Sequence, residues 1–271
     1  MPSNPSISEV FQSLRARGQM AFMPFVTAGD PDLEFTSQLI VELARQGVDL
    51  VEIGFPYSDP IADGPVIQAS YTRALAHRTT VEQILETLSS VRSRHNACVV
   101  TMVSYAIVHR MGLEHYVLKA KAAGVHGLIV PDLLVEESQP LASICAKHDM
   151  NLIQLVTPTT PRERALRIAE ASSGFLYYVS VTGITGERQS LPKDLAENVA
   201  WLRSRTKLPI CIGFGISSPD HIRNLAPSAD GLIVGSAIVR RIENCPPTDR
   251  QNRIREIGEY VGSLLASLPT A

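Results

Sequence analysis

The sequence predicts a single (β/α)8 barrel, the TIM-barrel fold, with an extra helix ahead of its first strand. Three observations lead to it. Eight short apolar runs rich in β-branched residues recur along the 271 residues, as expected of parallel strands covered on both faces. Successive runs begin 28, 48, 30, 25, 23, 34 and 22 residues apart, room each time for a strand and a helix, and alternating βα units build a parallel sheet. No linker, low-complexity tract or shift in composition divides the chain. Residues 1–271 are therefore expected to form one domain, since eight such units close a barrel of about 250 residues.

Ser6 followed by Glu9 reads as a capping box before Val10, Phe11 and Leu14, which places the extra helix first. The first strand is AFMPFV from Ala21. Asp30-Pro31 then opens a helix whose stripe is Leu33, Phe35, Leu39, Ile40 and Leu43, with Gly47 as its stop. The remaining strands are DLVEIG from Asp49, ACVVTMV from Ala97, GLIVP from Gly127, LIQLV from Leu152, FLYYVS from Phe175, PICIG from Pro209 and GLIVG from Gly231. Two intervals, the 48 after the second strand and the 34 after the sixth, exceed a bare βα unit. Loops at the carboxyl ends of barrel strands build active sites, so the surplus marks where chemistry is to be sought.

Composition removes several function classes. A net charge of −2 provides no basic stripe for nucleic acid or polybasic patch for a membrane surface. No apolar stretch approaches the ~18 residues of a membrane span, and MPSNPSISEVFQSLRARG lacks a signal-peptide pattern. Cys98, Cys145, Cys211 and Cys245 fit neither a disulfide framework nor paired zinc ligands, so reduced thiols and a cytoplasmic setting are expected.

Glu52 stands in an otherwise apolar strand near its carboxyl end. Burying a carboxylate is costly, and an apolar site raises its pKa toward neutrality, which suits a general acid or base. A structural role, held by an arginine, remains open from position alone. The loop that follows, FPYSDPIADGPVIQ, carries Asp59 and Asp63. Either reads as a turn or N-cap residue, but Asp63 leaves the loop that Glu52 enters, so two carboxyls can face one pocket in different roles. Glycines end the last three strands, in TGITG from Thr182, GFGIS from Gly213 and Gly235-Ser236. Together they favour a phosphate held by backbone amides, although glycines at such turns also serve steric ends. None of the five lysines lies in a predicted strand, and the seven histidines form no HxH or HExxH pair. Schiff-base and metal-dependent aldolase chemistry therefore lack their residues, and no metal is expected.

MPFVTAGDP, VEIGFPYSDPIADGPVIQ, TGITGER, IGFGISSP and IVGSAIV, in that order, closely resemble the tryptophan synthase α-subunit family. The resemblance covers essentially the whole chain. It implies retro-aldol cleavage of indole-3-glycerol phosphate to indole and glyceraldehyde 3-phosphate, with Glu52 and Asp63 catalytic and Tyr177 supporting. It implies an indole pocket of Phe25, Val103, Tyr105 and Ile129. It further implies a phosphate site of Gly186, Gly215, Gly235 and Ser236 beside Phe214, and a lid carrying Thr185. No cofactor is implied on this chain. A pyridoxal-phosphate β subunit is implied as the partner in an α2β2 heterotetramer, met by the loop of Pro56 and Asp59. A stand-alone indole-3-glycerol-phosphate lyase, or a silent barrel that activates a partner, would share the architecture.

Overall fold

The computed structural model describes residues 5–61, 63–179, 195–213 and 215–269. Eight parallel strands close in sequence order: β1 (Ala21–Thr27), β2 (Leu50–Gly54), β3 (Cys98–Met102), β4 (Val125–Ile129), β5 (Asn151–Val156), β6 (Leu176–Val179), β7 (Ile210–Gly213) and β8 (Gly231–Val234), with β8 pairing back onto β1. The helix before them is α1 (Ile7–Ala16), and α2 (Leu33–Arg45) follows β1. The long interval after β2 holds two helices, α3 (Pro65–Ala76) and α4 (Val81–Val91). After β3 come α5 (Tyr105–Met111) and α6 (Leu113–Ala122), and after β4 comes α7 (Gln139–Lys147). The circuit ends with α8 (Arg162–Ala171), α9 (Leu195–Arg203), α10 (Pro219–Leu225), α11 (Ser236–Ile242) and α12 (Arg250–Leu265). The surplus after β6 falls on residues 180–194, outside those described.

Because side chains alternate along a strand, the barrel sorts its residues into two apolar layers. Ala21, Met23 and Phe25 of β1, Leu50 of β2, and Cys98, Val100 and Met102 of β3 point into the lumen, with Phe175, Tyr177, Cys211 and Ile233 from the far side. Phe22, Val26, Val51, Ile53, Val99 and Val103 point outward to the helices. The α1 helix stops the amino end of the lumen. Its capping box holds, with Glu9 N donating to Ser6 Oγ at 3.3 Å and Ser6 N donating to Glu9 Oε2 at 2.7 Å. Ile7, Phe11 and Leu14 join the lumen cluster, and the Phe11 and Phe175 rings lie 5.9 Å apart. The cavity described below lies toward the carboxyl ends.

The start of α2 differs from expectation. Asp32 caps it, accepting from Phe35 N at 2.8 Å. Asp30 is buried and takes a bidentate pair from Arg73 of α3, at 2.9 and 2.8 Å. The stop is as expected: Gly47 adopts φ +93°, a left-handed conformation glycine takes freely.

Candidate active site

Glu52 reaches the lumen because β2 alternates. Val51 and Ile53 face the helices, so Leu50, Glu52 and Gly54 face inward. The register sets Glu52 opposite Phe25 on one side and Val100 on the other. It is wholly buried, and neither carboxyl oxygen has a hydrogen-bond partner among the described residues. Burial first, and the charge of Asp63 second, push its pKa up to about 8. A carboxyl left so poorly solvated retains its proton at neutral pH.

Asp63 is held by backbone, leaving its side chain for the cavity. Its N–H donates to Pro60 O at 3.0 Å, while Gln68 Nε2 donates to Asp63 O at 2.8 Å and Pro60 O at 3.2 Å. Gly64 and Pro65 then start α3, with proline in the first turn where its missing N–H costs nothing. Asp63 is 8% exposed, and burial raises it to about 6. One cavity thus holds a protonated and an ionised carboxyl at neutral pH.

That cavity is lined by Phe25, Glu52, Asp63, Ile67, Met102, Tyr177, Gly215, Ile216, Ile233, Gly235 and Ser236. Tyr177 of β6 is buried, and burial above all raises its phenol well above the ordinary value of 10, so it stays protonated. Gly213 makes room for it: a Cβ there would run into the Tyr177 hydroxyl. In the cavity wall beyond β7 and β8, Gly215 has φ +79°, and Gly235 precedes α11 with no side-chain cap among the described residues.

Two expected pocket residues lie elsewhere. Val103 follows Met102 and so faces the outer layer. Tyr105 begins α5, packs partly buried against the outer cluster, and donates its N–H to Asp132 Oδ1 at 2.7 Å. Met102 stands where Val103 was expected. Ile129 is in the lumen, paired with Met102 in the ladder, but does not line the cavity surface. Thr185, Gly186 and Phe214 lie outside the described residues. Pro56 is buried and Asp59 exposed on the loop after β2, where Asp59 Oδ2 accepts from Ser58 Oγ at 2.8 Å. Ile67, Met102, Ile216 and Ile233 were not anticipated. The signal for Met102 was parity with Glu52 through the Glu52–Val100 pairing.

Among the described residues no group of three or more histidine, cysteine or acidic side chains gathers as a metal site, and no helix is long and apolar enough to cross a membrane. The four cysteines are free.

A sequence profile described as tryptophan synthase alpha chain matches residues 11–266. The chain belongs to the tryptophan synthase alpha chain family. It is 56% identical to the alpha chain of Rhodopirellula baltica, covering 98% of this chain and 99% of that one, and 44% identical to that of Picosynechococcus, covering 96% and 99%. Among solved structures, Mycobacterium tuberculosis tryptophan synthase superposes with a TM-score of 0.87 at 31% identity, covering 99% of both chains. The tryptophan synthase complex of Pyrococcus furiosus gives 0.83 at 30% identity, covering 91% of this chain and 98% of that one. Membership makes this chain a lyase of tryptophan biosynthesis, and the alpha chain's aldolase-type reaction cleaves indole-3-glycerol phosphate.

Proposed function

We propose that the chain cleaves indole-3-glycerol phosphate by proton transfer between the substrate and the two carboxyls of its lumen. Glu52 delivers its proton to C3 of the indole ring. The ring becomes an iminium, so the substrate supplies its own electron sink. The Glu52 carboxylate then takes the proton of the glycerol hydroxyl next to C3. As that C–O becomes a carbonyl, the carbon–carbon bond breaks, its electrons restore the indole, and glyceraldehyde 3-phosphate leaves. Asp63, ionised, accepts from the ring N–H and stabilises the positive charge that develops there. The single observation that carries this reading is one cavity with two carboxyls whose pKa values stand at about 8 and about 6.

The other assignments extend the same reading. Phe25, Met102 and Ile233 offer the apolar wall that an indole needs. Tyr177, a lasting O–H donor beside Glu52, steadies that group. The amides at Gly215, Gly235 and Ser236 receive the phosphate; the roles expected of Gly186, Phe214 and Thr185 fall on residues outside those described. The chain works in the cytoplasm with a pyridoxal-phosphate β subunit as an α2β2 heterotetramer. The loop of Pro56 and Asp59 supports that docking, because it also holds Ile61 at 90% exposure, a large apolar side chain facing solvent. The test is indole release from indole-3-glycerol phosphate by the purified chain, with and without added β subunit. Release that the β subunit accelerates supports the reading; no release under either condition overturns it.

A further inference from the structure

The ladder between β7 and β8 ends where Gly213 meets Ile233. Past that pair each strand runs on into a segment of the cavity wall, Gly215 and Ile216 after β7, Gly235 and Ser236 after β8. No strand pairing among the described residues joins these two segments, so their spacing depends on side chains. Gly215, at φ +79°, turns the first of them sharply, and its path depends on what anchors its far end.

Tyr260 of α12 reaches both segments. Its hydroxyl donates to Ser217 O at 2.9 Å, 43 positions back along the chain and next to Ile216. Ser217 N donates to Nδ1 of His221 in α10 at 3.4 Å, so the end of the β7 segment is gripped at amide and carbonyl alike. The Tyr260 ring meets the other segment. The guanidinium carbon of Arg241 lies 3.4 Å from the ring centroid, and Arg241 Nη1 donates to Ala237 O at 2.7 Å, directly after Ser236 in α11. A guanidinium on a tyrosine face is attracted by the ring and stacks flat on it. Phenylalanine would serve the stacking equally well, but it would take from the Ser217 carbonyl the donor that Tyr260 brings.

We propose that Tyr260 is a positioning residue for the phosphate end of the site, holding the Gly215–Ile216 segment beside Gly235–Ser236 at the spacing that one phosphate group bridges. The inference rests on the phosphate assignment made above. Losing the hydroxyl loosens the β7 segment and leaves Glu52 and Asp63 where they are. Phosphate binding therefore suffers and proton transfer does not.

The experiment compares the full chain with Tyr260→Phe on indole-3-glycerol phosphate and on indole-3-glycerol without its phosphate, with inorganic phosphate as a competing ligand. Tyr260→Phe is expected to raise KM for the phosphorylated substrate about fivefold, the worth of one hydrogen bond. Competition by inorganic phosphate weakens by the same factor, while kcat and the KM of the unphosphorylated substrate are unchanged. A second variant, Arg241→Met, removes the cation above the ring and keeps an apolar stem; it is expected to raise KM with the same selectivity. A rise in KM shared by both substrates, a loss confined to kcat, or no change in either variant overturns the role of Tyr260. A wild type that binds both substrates equally and ignores inorganic phosphate would instead overturn the phosphate assignment, and the role of Tyr260 with it.

Discussion

Burial and the negative charge of Asp63 hold the proton on Glu52, the carboxyl that shares its cavity. The two groups differ in acidity because they differ in environment: Glu52 is inside the barrel wall with no polar partner among the described residues, while Asp63 sits on the loop at the mouth. Their separation governs how the site responds to pH.

The rate of indole release is expected to be bell-shaped. It rises near pH 6 as Asp63 ionises and falls near pH 8 as Glu52 loses the proton it must donate. The two apparent values belong to the interacting pair. A profile of kcat/KM against pH checks this, and Asp63→Asn should remove the acid limb while lowering the rate by roughly 10²- to 10⁴-fold.

Stability should carry the mark of Glu52 as well. In the unfolded chain its carboxyl titrates near its ordinary 4.5, and in the folded chain at about 8. The folded state binds more protons between those values, so stability falls as pH rises through that window. Urea midpoints measured from pH 5 to 9 should decline for the wild type, and decline less for Glu52→Gln.

Gly213 is where β7 yields to Tyr177. Gly213→Ala places a methyl group on the Tyr177 ring and hydroxyl, and overpacking of this kind costs about 1–3 kcal/mol. Because the displaced ring borders Glu52, turnover should fall along with stability. Thermal melts and indole release on the same sample separate the two losses.

The Arg73–Asp30 pair fastens α3, which carries Ile67, Gln68 and Tyr71, to the end of β1. Removing the guanidinium with Arg73→Met leaves Asp30 buried without its partner, a change worth roughly 3 kcal/mol in unfolding free energy. Urea unfolding monitored by circular dichroism measures it.

Much of this was legible in the sequence. Eight β-branched runs at βα spacing sufficed for the barrel, and the Ser6/Glu9 box for α1, because capping and periodicity are local. Glu52 and Asp63 stood out because a carboxyl in an apolar strand and a carboxyl in the loop it enters need a reason. Parity within a doubly covered strand was not legible. Val99 to Val103 is apolar on both faces apart from Thr101, so nothing local tells which set faces inward, and Val103 was expected where Met102 stands. Only the ladder with β2, where Glu52 meets Val100, decides it. Asp30 was hidden for a similar reason. Its partner Arg73 lies 43 positions away, and a neighbouring aspartate, Asp32, offered the same capping chemistry.

The most direct test of the central claim is single-turnover indole release by Glu52→Gln at saturating indole-3-glycerol phosphate. Glutamine keeps the size of the side chain and removes its transferable proton. The account predicts a loss of at least about 10²-fold with unchanged circular dichroism and retained substrate binding. Turnover within a few-fold of the wild type would contradict it.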